Sequence, residues 1–267
     1  MGPFANFLSI HFEVGGDTKS LEFQESFLPK TIELVELAEQ YSAKLTLQFN
    51  PQWAEYILKD ISKLNLLKNW QQKGHEVGLH HHGYDHGDWN GYTNRRGKEL
   101  DSRYRGSVRD MMRFMNELVQ PYQILSGTST DEGYDYPQGI KYDTQGIGIY
   151  HARSRPKRVA LGSNNNVIQV GMSYLSFKGY IESFKREYQK STENEVFGVV
   201  THEKDFDRNP AIFEEWLKFI KSKKKNIETV CEIIVKYQKK FPIPYDDNPL
   251  TFLKDVMGLN NLRKPIM

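Results

Sequence analysis

The residues best equipped for chemistry lie between Gly74 and His86, in the run Gly-His-Glu-Val-Gly-Leu-His-His-His-Gly-Tyr-Asp-His. Five of the chain's eight histidines fall within it. Neutral imidazole is the commonest protein metal ligand, and it carries protons near neutral pH. For His81 or His82 taken singly, a polar surface position explains the residue as well. Five together call for a metal or a proton-transfer role. Val77 and Leu79 alternate with polar neighbours, which predicts a strand ending near His80 and then a loop holding Gly83 and Gly87. Strand ends suit catalysis, because the sheet fixes a ligand while the loop leaves room for approach. His75-Glu76 followed by His80 is not the helical His-Glu-x-x-His zinc motif: the second histidine comes one residue late, and Gly78 disfavours a helix.

Two other stretches end in similar groups. Phe4 to Val14 reads as a strand whose period of two sets Ser9, His11 and Glu13 on one face, before the turn Gly15-Gly16-Asp17. Val196 to Val200 reads as a buried strand running into Thr201-His202-Glu203, which repeats the arrangement at His80. Three sets therefore converge: Glu13, with His11 or Asp17 beside it, the His80–His86 group, and His202. Two histidines and a carboxylate around a divalent ion, with one position open, form a common catalytic metal set. Such an ion lowers the pKa of water and polarises a carbonyl, a carboxylate takes the proton, and a separate histidine protonates the leaving group. That is hydrolysis of an amide or ester. Cys231 lacks a nucleophile context, and neither a phosphate-binding glycine loop nor Gly-x-Ser-x-Gly occurs.

The elements that must position these groups follow in order. Leu28 to Ala43 has helical spacing, Lys44 to Asn50 reads as a strand, and Pro51 opens a helix. Another helix leads through Leu66 and Trp70 to Gly74, a cap before the histidine strand. This strand–helix alternation predicts a parallel sheet with crossover helices, and in a parallel barrel the strand C-termini open onto one face. Helix is expected over Leu100–Leu118, Ser176–Tyr188, Ala211–Lys221 and Glu228–Lys239, and strand over Tyr122–Leu125, Ile147–Tyr150 and Val167–Val170, with Asn164-Asn165-Asn166 as a turn. Trp89 and Tyr92, in the loop after the histidines, and Asp131, Tyr134 and Tyr136, in a loop over Gly127–Gln138, offer the hydrogen bonds and aromatic faces that sugars use; an ordinary turn-rich loop is the alternative. The whole of 1–267 is expected to be one domain, with 241–267 a proline-containing tail laid on its surface.

Composition limits the partners. The chain has 267 residues, 38% of them hydrophobic and 26% charged, and a formal charge of +2. Near-neutral charge gives no reason to expect nucleic acid, and no run approaches the length of a membrane span. The single cysteine excludes an internal disulfide. A cytoplasmic location is the default expectation, an extracytoplasmic one if a leader has been removed.

With these residues in view, the chain resembles the polysaccharide deacetylases (the NodB-like family, carbohydrate esterase family 4). The resemblance runs over about residues 5 to 240. It is carried by Leu45 to His80 with Trp53-Ala54-Glu55, by Gly74-His75-Glu76-Val77-Gly78-Leu79-His80, and by Val199-Val200-Thr201-His202-Glu203. It implies an α/β fold, a distorted and often seven-stranded (β/α) barrel, mostly parallel, and removal of acetyl groups from sugars with a divalent ion, commonly zinc. Gly127 to Pro137 falls where the family has its arginine-proline substrate loop, here without arginine. In the first motif's frame, Ile10-His11-Phe12-Glu13-Val14-Gly15, Glu13 takes the base position and Val14 stands where a metal aspartate belongs. His202 matches the catalytic acid. The family's histidines are four apart, but four after His80 is Tyr84, so His82 and His86 are the substitutes. The expected metal set is His80 with His86, completed by Asp17 or Glu13; His11 as replacement ligand, or loss of the metal, are the other options. The expected function is metal-dependent removal of an acyl group, N-acetyl in the first instance, from a small-molecule or oligosaccharide substrate. The alternatives are hydrolysis of a non-sugar C–N bond and a catalytically idle barrel that binds a glycan.

Overall fold

The computed structural model describes residues 2–15, 21–146, 152–175 and 181–245. Seven strands run parallel and close into a barrel: β1 (Ala5–His11), β2 (Thr46–Phe49), β3 (Glu76–His81), β4 (Ser126–Ser129), β5 (Tyr142–Gly146), β8 (Asn164–Tyr174) and β9 (Val196–His202), which pairs back onto β1. Two short strands lie antiparallel on this frame, β6 (Arg153–Ser154) on β9 and β7 (Lys157–Leu161) on β8.

Strands β1, β2, β3 and β9 are buried on both faces along nearly their whole length, and the two faces differ in kind. Leu8 and Ile10 of β1, Leu47 of β2, Leu79 of β3 and Val199 of β9 pack outward in one large apolar cluster. The helices supply its other side: α1 (Glu22–Gln40), α2 (Pro51–Leu58), α3 (Ile61–Gln72), α4 (Val108–Met115), α5 (Ile181–Lys190) and α7 (Pro210–Ser222). A six-residue helix, α6 (Glu203–Arg208), starts where β9 ends. Pro51 opens α2 as expected, and the Asn50 side chain accepts from the Trp53 N–H at 3.0 Å to cap it.

The other end of the barrel is stoppered by α8 (Val230–Lys240). Its Val230, Ile233, Ile234 and Tyr237 pack with Phe7, Ile168, Val170, Met172, Val196 and Val200. The Glu76 carboxylate, at the start of β3, accepts from the Thr46 hydroxyl at 3.2 Å, the Cys231 N–H at 3.1 Å and the Cys231 thiol at 2.8 Å, and also from Ser126. A carboxylate there meets the positive end of the helix dipole. Polar residues of the site can therefore occupy only the opposite mouth.

Three expectations shift. The strand placed at Tyr122–Leu125 lies at Ser126–Ser129 instead, running into the stretch from Gly127 read as loop. Small polar residues are required there: a side chain on Gly127 would run into the backbone of Leu79 on β3. The helix expected over Leu100–Leu118 is confined to Val108–Met115, beginning at a capping box of Ser107 and Asp110 that outcompetes the preceding segment. Asn164 to Asn166 is not a turn but the start of β8; the chain turns at Gly162, in the left-handed region with φ +56°. Ile147–Tyr150, the first residues of the helix placed at Ser176–Tyr188, and most of the expected tail lie outside the described residues. Among those described, no helix is long and apolar enough to cross a membrane.

Closure depends on Gly198. A Cβ at that position would overlap the Gly171 carbonyl oxygen of β8 and the Phe7 ring of β1. Overpacking a dense core usually costs about 1–3 kcal/mol. Gly198→Ala is expected to destabilise the fold by at least that amount in denaturant titration, whereas Gly87→Ala, where a Cβ would meet nothing and the backbone is not left-handed, is expected to cost less than half as much.

Candidate active site at the barrel mouth

The C-terminal ends of β1, β3 and β9 bring Glu13, His80 and His202 to one cavity of about 280 Å³, which His11, His82 and Tyr174 also line. Register accounts for this. His11 of β1 is level with His202 of β9, so Glu13, two residues on, stands just above both. His80 and His82 share a face of β3 by the same period of two, and both line the cavity. The other histidines of the run do other work. His75 Nδ1 accepts from the Leu45 N–H at 3.0 Å, and His81 packs between barrel and loop with Nδ1 3.1 Å from the Asn90 amide.

His80 and His82 are held in an unusual way. His80 Nδ1 lies 3.3 Å from the Phe12 carbonyl and His82 Nδ1 lies 2.9 Å from the Asp88 carbonyl. A carbonyl only accepts, so each Nδ1 carries the ring proton and each Nε2 presents a lone pair. Those two Nε2 atoms face each other at 3.0 Å. Burial, with the surrounding imidazoles, lowers the His80 pKa well below its ordinary value, and burial also lowers that of His82. Two lone pairs in near contact repel unless a cation lies beside them. Glu13 Oε2 is 4.0 Å from His82 Nε2, and the ligand atoms of Glu13, His80 and His82 all lie within 4.8 Å of one another. This donor set fits a divalent ion of the zinc type, which takes nitrogen and carboxylate oxygen.

His202 is the opposite case. Its Nε2 lies 3.0 Å from Glu13 Oε1 and its Nδ1 lies 2.8 Å from Asp205 Oδ2. Carboxylates on both nitrogens make both of them donors, so the ring is a cation. Burial alone would lower its pKa, but the bonds to Asp205 and Glu13 outweigh burial and raise it to about 9. The reciprocal effect appears at Glu13: burial opposes ionisation, and His202 overcomes it, holding the carboxyl at about 2. The Glu13 N–H donates to Glu203 Oε1 at 2.8 Å, and the Tyr174 ring stacks on His202 with centroids 5.2 Å apart.

The residues singled out in the sequence are distributed as follows. Glu13, His80 and His202 come together. His86 is at the cavity rim and groups with His82 and Asp88 as a second potential ligand set. Asp17 lies outside the described residues. Val14 is buried, and its carbonyl accepts from the Gln24 side-chain amide at 3.2 Å. His11 lines the cavity with both ring nitrogens unpartnered and a pKa lowered to about 3 by burial and His202. Trp89 and Tyr92 are buried in their own loop, where the Trp89 indole N–H donates to the Tyr92 carbonyl at 2.9 Å. Asp131 pairs with Arg95 at 2.7 Å; Tyr134 is exposed, and Tyr136 is buried with its hydroxyl 3.3 Å from Asp143. Asp205 and Glu203 carried no sequence signal of their own, since an acidic pair after a histidine is ordinary at a helix start. His82 stands one residue past the end of β3, so the strand period points to it only once that end is known.

No family model matches this sequence, and no curated protein matches it either. The fold is nonetheless found among solved structures. One is a "probable polysaccharide deacetylase" from Pseudomonas aeruginosa, 13% identical, with a TM-score of 0.60 over 90% of this chain and 92% of that one. A second is the PuuE allantoinase, also 13% identical, with a TM-score of 0.60 over 87% of this chain and 89% of that one. A third is a 4-alpha-glucanotransferase from Thermococcus litoralis, 13% identical with a TM-score of 0.59, which shares 92% of this chain but only 42% of its own. The chain thus has the barrel of the polysaccharide deacetylases, and this barrel carries more than one chemistry.

Asp205 should be legible in a pH titration of stability. A raised histidine pKa contributes stability that is fully present below the ordinary value of 6.5 and is lost as pH rises through about 9. Asp205→Asn is expected to be less stable than the parent by on the order of 1 kcal/mol at pH 6, with the difference closing toward pH 9.5. A pH-independent difference would mean that Asp205 acts only through packing.

Proposed function

We propose that this protein is a metal-dependent hydrolase that cleaves an acyl C–N bond, with an N-acetylated sugar as the substrate class. The observation that carries the reading is the adjacency, in one cavity, of a converging donor set (His80, His82, Glu13) and a histidine held as a cation (His202). A protein that merely bound glycans would have no need of either.

His80 Nε2, His82 Nε2 and Glu13 are the residues that would hold the ion. Bound there, a divalent ion supplies Lewis acidity and lowers the pKa of water. The chain's own residues manage protons and orientation. The Phe12 and Asp88 carbonyls lock the tautomers of His80 and His82, as partners behind metal ligands commonly do. Asp205 fixes the plane of His202 and leaves its Nε2 proton directed into the cavity at Glu13 Oε1. A water adding to the acyl carbon would give its proton to Glu13, and the nitrogen would take a proton from His202 Nε2 as the C–N bond breaks. The backbone bond from Glu13 to Glu203 keeps the carboxylate from swinging away. The ordered sequence expectation of Glu13 as base and His202 as acid is compatible with these contacts, with Glu13 placed to act as ligand as well.

The second reading, a small non-sugar amide or ureide, is favoured by one observation. A cavity of about 280 Å³ sits at the lower edge of ordinary ligand pockets, roughly 300–1,000 Å³, and the PuuE allantoinase shares the fold.

Two measurements test the proposal. His80→Ala/His82→Ala is expected to lose bound metal by elemental analysis, with His86→Ala retaining it; metal that persists in the double variant would place the ion elsewhere. His202→Gln is expected to lower acetate release from N-acetylated amino sugars about 10²–10⁴-fold, the usual contribution of one general acid, with metal content unchanged. Ring opening of allantoin to allantoate, with no acetate released from sugars, would select the second reading.

A further inference from the structure

A second cavity is larger than the one that holds the histidines. About 830 Å³ in volume, it lies between α4 and the loop that follows β4, with Val108, Met112, Arg109 and Arg113 on one side and Tyr134 and Tyr136 on the other. Among the described residues, its lining includes two arginines and no acidic side chain. The neighbouring arginines outside the cavity have carboxylate partners: Arg95 pairs with Asp85 and Asp131, Arg103 with Asp101 and Arg105 with Glu55, while within the lining Arg113 lies 3.6 Å from Asp110. Arg109 has no carboxylate within ion-pair distance among the described residues. Tyr134 is 73% exposed, one of few large aromatic rings left in the open.

The cavity also lies in line with the site. The histidine cavity shares His86 and Thr130 with an intermediate hollow of about 280 Å³ that Asp131 and Glu132 line. The next two residues, Gly133 and Tyr134, line the large cavity. The Arg95 guanidinium, 5.3 Å from the Tyr134 ring centroid, bridges the two. One loop therefore passes all three spaces in succession.

We infer that the large cavity binds an acidic sugar unit, its carboxylate or phosphate on Arg109 and Arg113 and its ring against Tyr134. Each part follows from the lining. Guanidinium groups bind planar or tetrahedral oxyanions through paired N–H donors. The apolar C–H face of a sugar packs on an exposed aromatic ring, and the absence of lining carboxylates removes the repulsion an acidic ligand would otherwise meet. The volume falls within the usual range for ligand pockets, roughly 300–1,000 Å³. A unit held here would extend a longer acyl-sugar substrate away from the histidines, so the sugar part of the inference rests on the carbohydrate reading above, while the anion part does not.

The test is ligand-observed NMR binding of glucuronic acid, glucose 6-phosphate and glucose to the full chain. The acidic sugars are expected to bind and glucose is not, with binding weakened by salt. Whether glucuronic acid or glucose 6-phosphate binds more tightly distinguishes a carboxylate from a phosphate source. Arg109→Ala/Arg113→Ala, at exposed positions, should weaken binding at least about tenfold, as expected for loss of charge-assisted hydrogen bonds. Ser163→Trp, on the exposed turn at the cavity's edge, should block it without altering charge. Equal binding of glucose, absence of binding by both acidic sugars, or binding unchanged in both variants would overturn the inference. Acetate release from a neutral N-acetylated sugar is measured alongside and should be unaffected in the arginine variant. Its absence in the parent protein would count against the hydrolase reading alone.

Discussion

The pairing of β8 with β9 is the constraint on which the rest of the structure depends. With Ser173 level with Val199 and Tyr174 level with Val200, the seventh parallel strand is joined to the sixth and the sheet has no open edge in its parallel part. Gly171 and Gly198 make the approach close enough. Once the ring is closed, every parallel strand delivers its C-terminal residue to the same rim, and residues separated by nearly two hundred positions become neighbours. The contact between Glu13 and His202 comes from the direct pairing of β9 along β1, and the closure adds Tyr174 of β8, whose ring stacks on His202. The helical stopper at the other end completes the asymmetry: one mouth is apolar and filled, the other polar and available.

The site is built from two electrostatic situations that oppose each other. Around His80 and His82, backbone carbonyls fix the protons on the far side of each ring, and burial keeps the rings neutral. Around His202, carboxylates on both sides keep the ring charged at a similar depth. Glu13 touches both situations, one oxygen toward each. A carboxylate so placed couples them, because a change of charge at one histidine group is felt at the other through a single residue. Val14, where the resembled family would have a second acid, leaves Glu13 alone in that position; the shared fold by itself says nothing of how the difference is met.

Much of the architecture was legible in the sequence because it rests on periodicity. The alternation of strands and helices, Pro51 at a helix start, and the apolar run into His202 each reflect a local physical rule. The strand at Ser126–Ser129 escaped because its residues are chosen by the space beside Leu79 and by the hydrogen bond to Glu76, neither of which is local. The helix before Val108 was overextended because charged residues at helical spacing also suit a solvated loop. In the site, Glu13, His80 and His202 were legible from strand ends, whereas the place of His82 beside His80 depends on where β3 ends. Asp205 was invisible: its role exists only because α6 begins the moment β9 stops.

The fixed orientation of His80 and His82 has a consequence for how tightly such a site could grip. Most chelating side chains are free to turn in the absence of their ion, and must surrender that freedom on binding. Here the strand spacing and two backbone carbonyls have already removed it during folding, and the lone pairs are left crowded at 3.0 Å. Entropy that a flexible site would lose on coordination is absent from the balance, and mutual repulsion of the donors is relieved by it.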